Sequence, residues 1–110
     1  MMDLINELNA LSGRLTASGK QMQRYGLELA EAEREYKITL REEALKLREQ
    51  GMAITLIDKV VYGVPAVADK RFKRDVAETM YKTAQESINT LKLKMRIMDA
   101  QITREWNSNG

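Results

Sequence analysis

Apolar side chains recur through the first half of the chain in alternating steps of four and three. Leu4, Leu8, Leu11, Leu15, Ser18, Met22, Tyr25, Leu29, Ala32 and Tyr36 keep this rhythm, and only Ser18 among them is not apolar. Such spacing lays side chains along one stripe of an α-helix, the seam of a coiled coil. Beyond Tyr36 the row moves to Leu40, Ala44 and Leu47, a stutter that locally relaxes supercoiling, and Gly51 supplies a natural helix end. A second seam reads Ala77, Tyr81, Ala84, Ile88, Leu91, Met95, Met98 and Ile102, all apolar, with Phe72, Val76 and Met80 extending the apolar face upstream in steps of four. In the connector, Thr55 followed by Asp58 has the form of a capping box and Gly63 that of a stop, which predicts a short helix over about 56–62. Pro65 suits the first turn of the second long helix, where its missing N–H is no loss. The pattern predicts an all-α protein, a long antiparallel helical hairpin of coiled-coil type in a single domain of residues 1–110. Its parts are a long helix over about 3–50, a connector with a short helix over about 51–64 and a long helix over about 65–107.

Two helices folded back on each other would set Glu42, Glu43 and Glu49 against Lys70, Lys73 and Arg74. Pairs at i,i+4 (Glu33–Lys37, Glu42–Lys46, Asp69–Lys73, Glu78–Lys82) add about 0.3–0.5 kcal/mol each. A lone hairpin buries little surface for its length. Leu93, Ile97 and Ala100 form a second apolar row on the later helix, as Leu27, Ile38 and Leu45 do on the earlier one. A helix that is apolar on two faces touches two neighbours, so the expected assembly is a homo-oligomeric bundle, most simply a dimer of four helices, with Leu93, Ile97 and Ala100 at the interface. Ser12, Thr16, Gly19, Gly26 and Ala30 put small residues along one face. Two readings fit them, a frayed or kinked arm and a groove that another helix or a ligand approaches closely.

Composition narrows the chemistry. There is no cysteine and no histidine, which excludes disulfides, zinc of the usual Cys/His kind, a histidine base and a Ser-His-Asp triad. No metal, cofactor or catalytic residue is expected. The longest apolar run, Val60 to Ala68, is too short to span a membrane and the N-terminus lacks the form of a signal peptide; a small chain that manages without disulfides is expected in a cytoplasm. The glutamates from Glu28 to Glu43 read as a solvated charged face, since helical di-metal sites add Glu-x-x-His pairs. Gly51 and Gly63 do not match a phosphate loop. The connector superficially resembles a helix-turn-helix, but Lys59 stands where a small residue is wanted and Asp69 where an apolar one is.

The net charge of +2 is unevenly spread, and the densest basic patch is Asp69-Lys70-Arg71-Phe72-Lys73-Arg74-Asp75. Cations at a helix start are not favoured by the helix dipole. Either they answer the acids of the first helix, or they serve an anion. Arginines beside free backbone N–H groups, with Tyr62 to stack on a base, would suit a phosphate or nucleotide. The candidate residues for an anionic ligand are Thr55, Tyr62, Lys70, Arg71 and Arg74. A second basic zone joins Arg14, Lys20 and Arg24 to Lys92, Lys94 and Arg96. Trp106 reads as a packing clasp.

The stretch from Gly51-Met-Ala-Ile-Thr-Leu-Ile-Asp-Lys-Val-Val-Tyr-Gly63 through Val67-Ala-Asp-Lys-Arg-Phe-Lys-Arg-Asp-Val-Ala-Glu-Thr-Met-Tyr81 resembles small helical early-gene proteins of phages and prophages of Gram-positive bacteria. The resemblance extends to the Glu-Tyr-Lys stretch around Tyr36 and implies a context of replication, recombination or host takeover, in which small proteins bind and block. In size and architecture the chain is also similar to helical oligomers that take up the cyclic nucleotides of bacterial defence. The expected function is therefore a non-enzymatic counter-defence protein acting stoichiometrically, on a nucleotide second messenger or by masking a host protein. The alternative is a replication or recombination accessory protein that binds single-stranded DNA or its machinery.

Overall fold

The computed structural model describes residues 2–109. Helix α1 covers Met2–Glu49, 48 residues, and a short α2 covers Ile54–Val60 and runs into a 3₁₀ turn at Val61–Gly63. Helix α3 covers Pro65–Asn109, 45 residues. No strand occurs among the described residues. The all-α helical hairpin expected from the seams is therefore the fold. Its contacts fall into two compact units, Met1–Arg24 with Lys82–Gly110, and Tyr25–Tyr81.

In the first unit the seam packs as its spacing requires. Leu11, Ile88 and Leu91 are buried, and Leu4, Leu8, Leu15, Ser18, Met22, Ala84, Met95, Met98 and Ile102 are half-buried. The α1 and α3 segments run antiparallel there, since Arg14 shares a groove with Lys94 whereas Gln21 shares one with Thr83. Leu93 and Ile97 stand off the seam at 52% and 58% exposure, and Ala100 is exposed too. Trp106 is 71% exposed. The expected clasp is therefore absent: the half-buried neighbour is Glu105, three residues on from Ile102, which turns the indole off the seam.

The second unit holds the hinge. Tyr36, Ile57, Val61 and Val67 form its buried cluster, with Leu40, Ala44, Leu47, Met52 and Val64 packed around it. Two devices aim the chain into this cluster. The first closes α1: Gly51 sits at φ 90°, its N–H donates to the Arg48 carbonyl at 2.9 Å, and the Met52 N–H donates to the Leu47 carbonyl at 3.1 Å. This is a Schellman motif, with its usual apolar contact between the residues that close it; Leu47 and Met52 both pack on the cluster. The second opens α3: Val64, extended at φ −62° and ψ 127°, accepts from the Ala68 N–H at 2.9 Å, and Pro65 takes the first helical position.

Three local expectations are overturned here. The short helix starts at Ile54 behind Ala53, with no side-chain cap, so Thr55 is inside the helix and makes no capping box. Burial of Ile57 and Val61 sets the start of the element. The apolar row Phe72, Val76 and Met80 does not continue the seam; these residues are 66%, 46% and 42% exposed. Continued backward from Ala77 in steps of three and four, the seam runs through Arg74, Lys70 and Val67, and these are the half-buried or buried positions. Steps of four alone drift around the helix, so the row peels away from the contact. Finally, the acids Glu42, Glu43 and Glu49 do not meet the basic cluster. Lys70 pairs with Glu35 at 3.1 Å, Lys73 with Asp69 at 3.5 Å and Arg74 with Asp75 at 2.8 Å. Leu40, Ala44 and Leu47 at the end of α1 pack on the cluster of Ile57, Val61 and Val67, and Lys70, one turn into α3, reaches Glu35 instead of the later acids. Lys46 correspondingly pairs with Glu43 at 3.1 Å, one residue short of its expected partner.

Candidate functional site

The five residues expected to hold an anion divide into separate roles. Lys70 and Arg74 occupy seam positions. Their aliphatic stems cover the core side of α3 while their heads reach acids: Lys70 meets Glu35, and the Arg74 guanidinium lies 4.7 Å above the Tyr36 ring while donating to Asp75 through Nε at 3.1 Å and Nη2 at 2.8 Å. The Asp75 hydrogen bond and charge raise the Arg74 pKa further above its usual value, against the desolvation that lowers it. Arg71 is exposed and lies 5.6 Å from the centre of the Tyr62 ring, and Tyr62 is itself 45% exposed. Thr55 is exposed on α2. The structure thus brings Tyr62 and Arg71 together, and turns Lys70 and Arg74 toward α1.

The short helix also leaves apolar side chains in water. Ile54, Leu56 and Val60 are 55%, 47% and 37% exposed, although α2 has only seven residues; Leu56 and Val60, four apart, share a face, and Ile54 stands on another flank. The residues that point inward, Ile57 and Val61, anchor the turn, so the remaining hydrophobes are left facing water. The sequence signal was a connector with more apolar residues than one buried face can use.

The first unit carries open grooves beside its seam. One, of about 440 Å³, has Ala10, Leu11, Ile97 and Met98 as its floor, with Glu7, Arg14, Lys94 and Gln101 at its rim. The next stretch on the same side, of about 490 Å³, begins again with Arg14 and Lys94 and continues past Ser18, Gln21, Ser87 and Thr90. Of the second basic zone, then, Arg14 and Lys94 share a groove; Arg96 lines a different one with Leu8, Ser12 and Asp99. Among the small residues of α1, Gly26 is explained by a close approach, because a Cβ there would sit 3.3 Å from the Tyr81 ring. Gly13 and Gly19 face open space, and the helix runs through all three without a break.

Among the described residues no cluster of three or more His, Cys, Asp or Glu is placed to hold a metal, and no helix is long and apolar enough to cross a membrane. The fold and these surfaces define a helical hairpin with an apolar hinge face and a charged-rim groove. Comparison with protein families, curated proteins and solved structures finds no match.

Proposed function

We propose that the chain is a non-enzymatic phage or prophage accessory protein, in a counter-defence setting, that acts by masking a host protein through its hinge. The observation that carries this reading is the exposed i,i+4 pair Leu56 and Val60, which share one face of the short helix away from the buried Ile57 and Val61. The Schellman turn and the Val67 cluster hold that helix from behind. A rigidly mounted apolar face loses little entropy on binding, which favours protein contact. Two of the cations expected to serve a phosphate, Lys70 and Arg74, are engaged with Glu35 and with Tyr36 and Asp75, which weighs against a nucleotide as the main target. The test is capture from host extract by the wild-type chain and by a Leu56→Asp, Val60→Asp variant. One protein should be retained in fixed ratio by the wild type and lost by the variant, at unchanged helical signal. Equal retention by both would refute the hinge as the binding face.

A second reading keeps the anionic ligand, a cyclic nucleotide or single-stranded DNA, and is favoured by the stacked Arg71–Tyr62 pair. An exposed guanidinium beside an exposed ring offers a base one face and a phosphate one charge. Calorimetric titration with cyclic dinucleotides and short single-stranded DNA would then show binding that Arg71→Glu abolishes. DNA binding would also weaken steeply with salt.

A further inference from the structure

We infer that the groove of the first unit is the seat of a second copy of this chain, joined about a two-fold axis that crosses α1 next to Ala10. The inference concerns self-association and stands apart from the host target proposed above. Three observations carry it. The first is the unmatched charge at the rim. Arg14 and Lys94 line the same stretch of groove, and neither they nor Glu7 has an ion-pair partner among the described residues. The second is the order of those charges. Glu7 and Arg14 flank Ala10 on one face of α1, two turns or about 10.5 Å apart. That is too far to pair within one helix, yet an antiparallel copy centred between residues 10 and 11 sets each Glu7 level with the other copy's Arg14. An isologous contact needs this self-complementarity, and the small Ala10 at the axis lets the two backbones approach. The third is the apolar lining between those charges: Leu11 and Met98 of the seam lie beside Ile97, which is 58% exposed, and supply the centre of the contact.

The pattern makes the proposal testable by charge exchange, read by sedimentation of the full chain across micromolar concentrations. The wild type should be a dimer. Arg14→Glu opposes like charges twice across the axis and should weaken association about tenfold or more. Adding Glu7→Arg to Arg14→Glu recreates the same pairing with the signs exchanged and should restore association to within a few-fold of wild type. Since the chain has no cysteine, Ala10→Cys gives an independent reading. Mild oxidation should join two copies through Cβ atoms close to the axis, and Gly13→Cys, away from the groove, should not crosslink. A wild-type monomer, a single reversal without effect, a double exchange that fails to rescue a folded protein, or crosslinking equal at both positions would each overturn the assignment. Another protein found in the groove with no self-association would do so as well.

Discussion

The three glycines inside α1 offer a direct test of how the hairpin is packed, because they are alike in sequence and unlike in surroundings. A glycine within a helix costs about 0.8–1.0 kcal/mol relative to alanine, through backbone entropy lost on folding. At Gly13 and Gly19 an added Cβ meets nothing within 4 Å, so Gly13→Ala and Gly19→Ala should each recover nearly all of that amount. The two sites are about 9 Å apart along the helix, so the gains should add to roughly 2 kcal/mol. For a chain of this length each gain raises the melting temperature by about 4 °C. At Gly26 the new methyl would sit 3.3 Å from one Tyr81 ring atom and 3.7 Å from another. The ring is half-buried in the seam, and its displacement should consume the gain, leaving Gly26→Ala neutral or destabilised. The assay is a thermal melt followed by helical circular dichroism at one fixed protein concentration, since association shifts the midpoint. Equal stabilisation by all three substitutions would refute the close approach of Tyr81. A loss at Gly13 or Gly19 would refute their open surroundings and show that a partner covers that face.

Other substitutions test the hinge. Gly51→Ala forces a Cβ into a left-handed conformation and should destabilise the fold by about 1–2 kcal/mol in a urea titration; no change would mean α1 ends some other way. Val67→Ala should cost about 2–3 kcal/mol, from lost methyl groups and the space they leave, because Val67 is fully buried. Phe72→Ala, five residues on at 66% exposure, should change stability by less than about 0.5 kcal/mol, and a larger loss would place Phe72 in an interface.

The helices were legible because their signal is long and redundant. Seams of alternating four and three steps survive one serine in α1, and every residue assigned to them from Leu4 to Leu47 and from Ala77 to Ile102 is buried or half-buried. Gly51 and Pro65 marked their ends for local reasons of backbone geometry, which a sequence states directly. The start of α2 was misplaced because Thr55 and Asp58 have the composition of a cap, while position is decided by Ile57 and Val61 sinking into a cluster drawn from both long helices. That is a tertiary contact, and a seven-residue helix has too little local preference to resist it.

The candidate site was harder to read for the same reason. Around the start of α3 the apolar residues and the seam part company: Phe72, Val76 and Met80 are hydrophobic and exposed, whereas Lys70 and Arg74 are charged and half-buried. A rule that sends apolar side chains inward picks the wrong face and leaves the cations free for a ligand. Register decides otherwise. Once Ala77 and Tyr81 are fixed by the second seam, positions 74, 70 and 67 must face α1, and long side chains with flexible stems can occupy such positions while their charges reach Glu35 and Asp75. The inward turn of Lys70 and Arg74 leaves Phe72, Val76 and Met80 in water on the same stretch of α3, because a helix that gives its seam positions to charged side chains has no buried place left for the apolar residues between them.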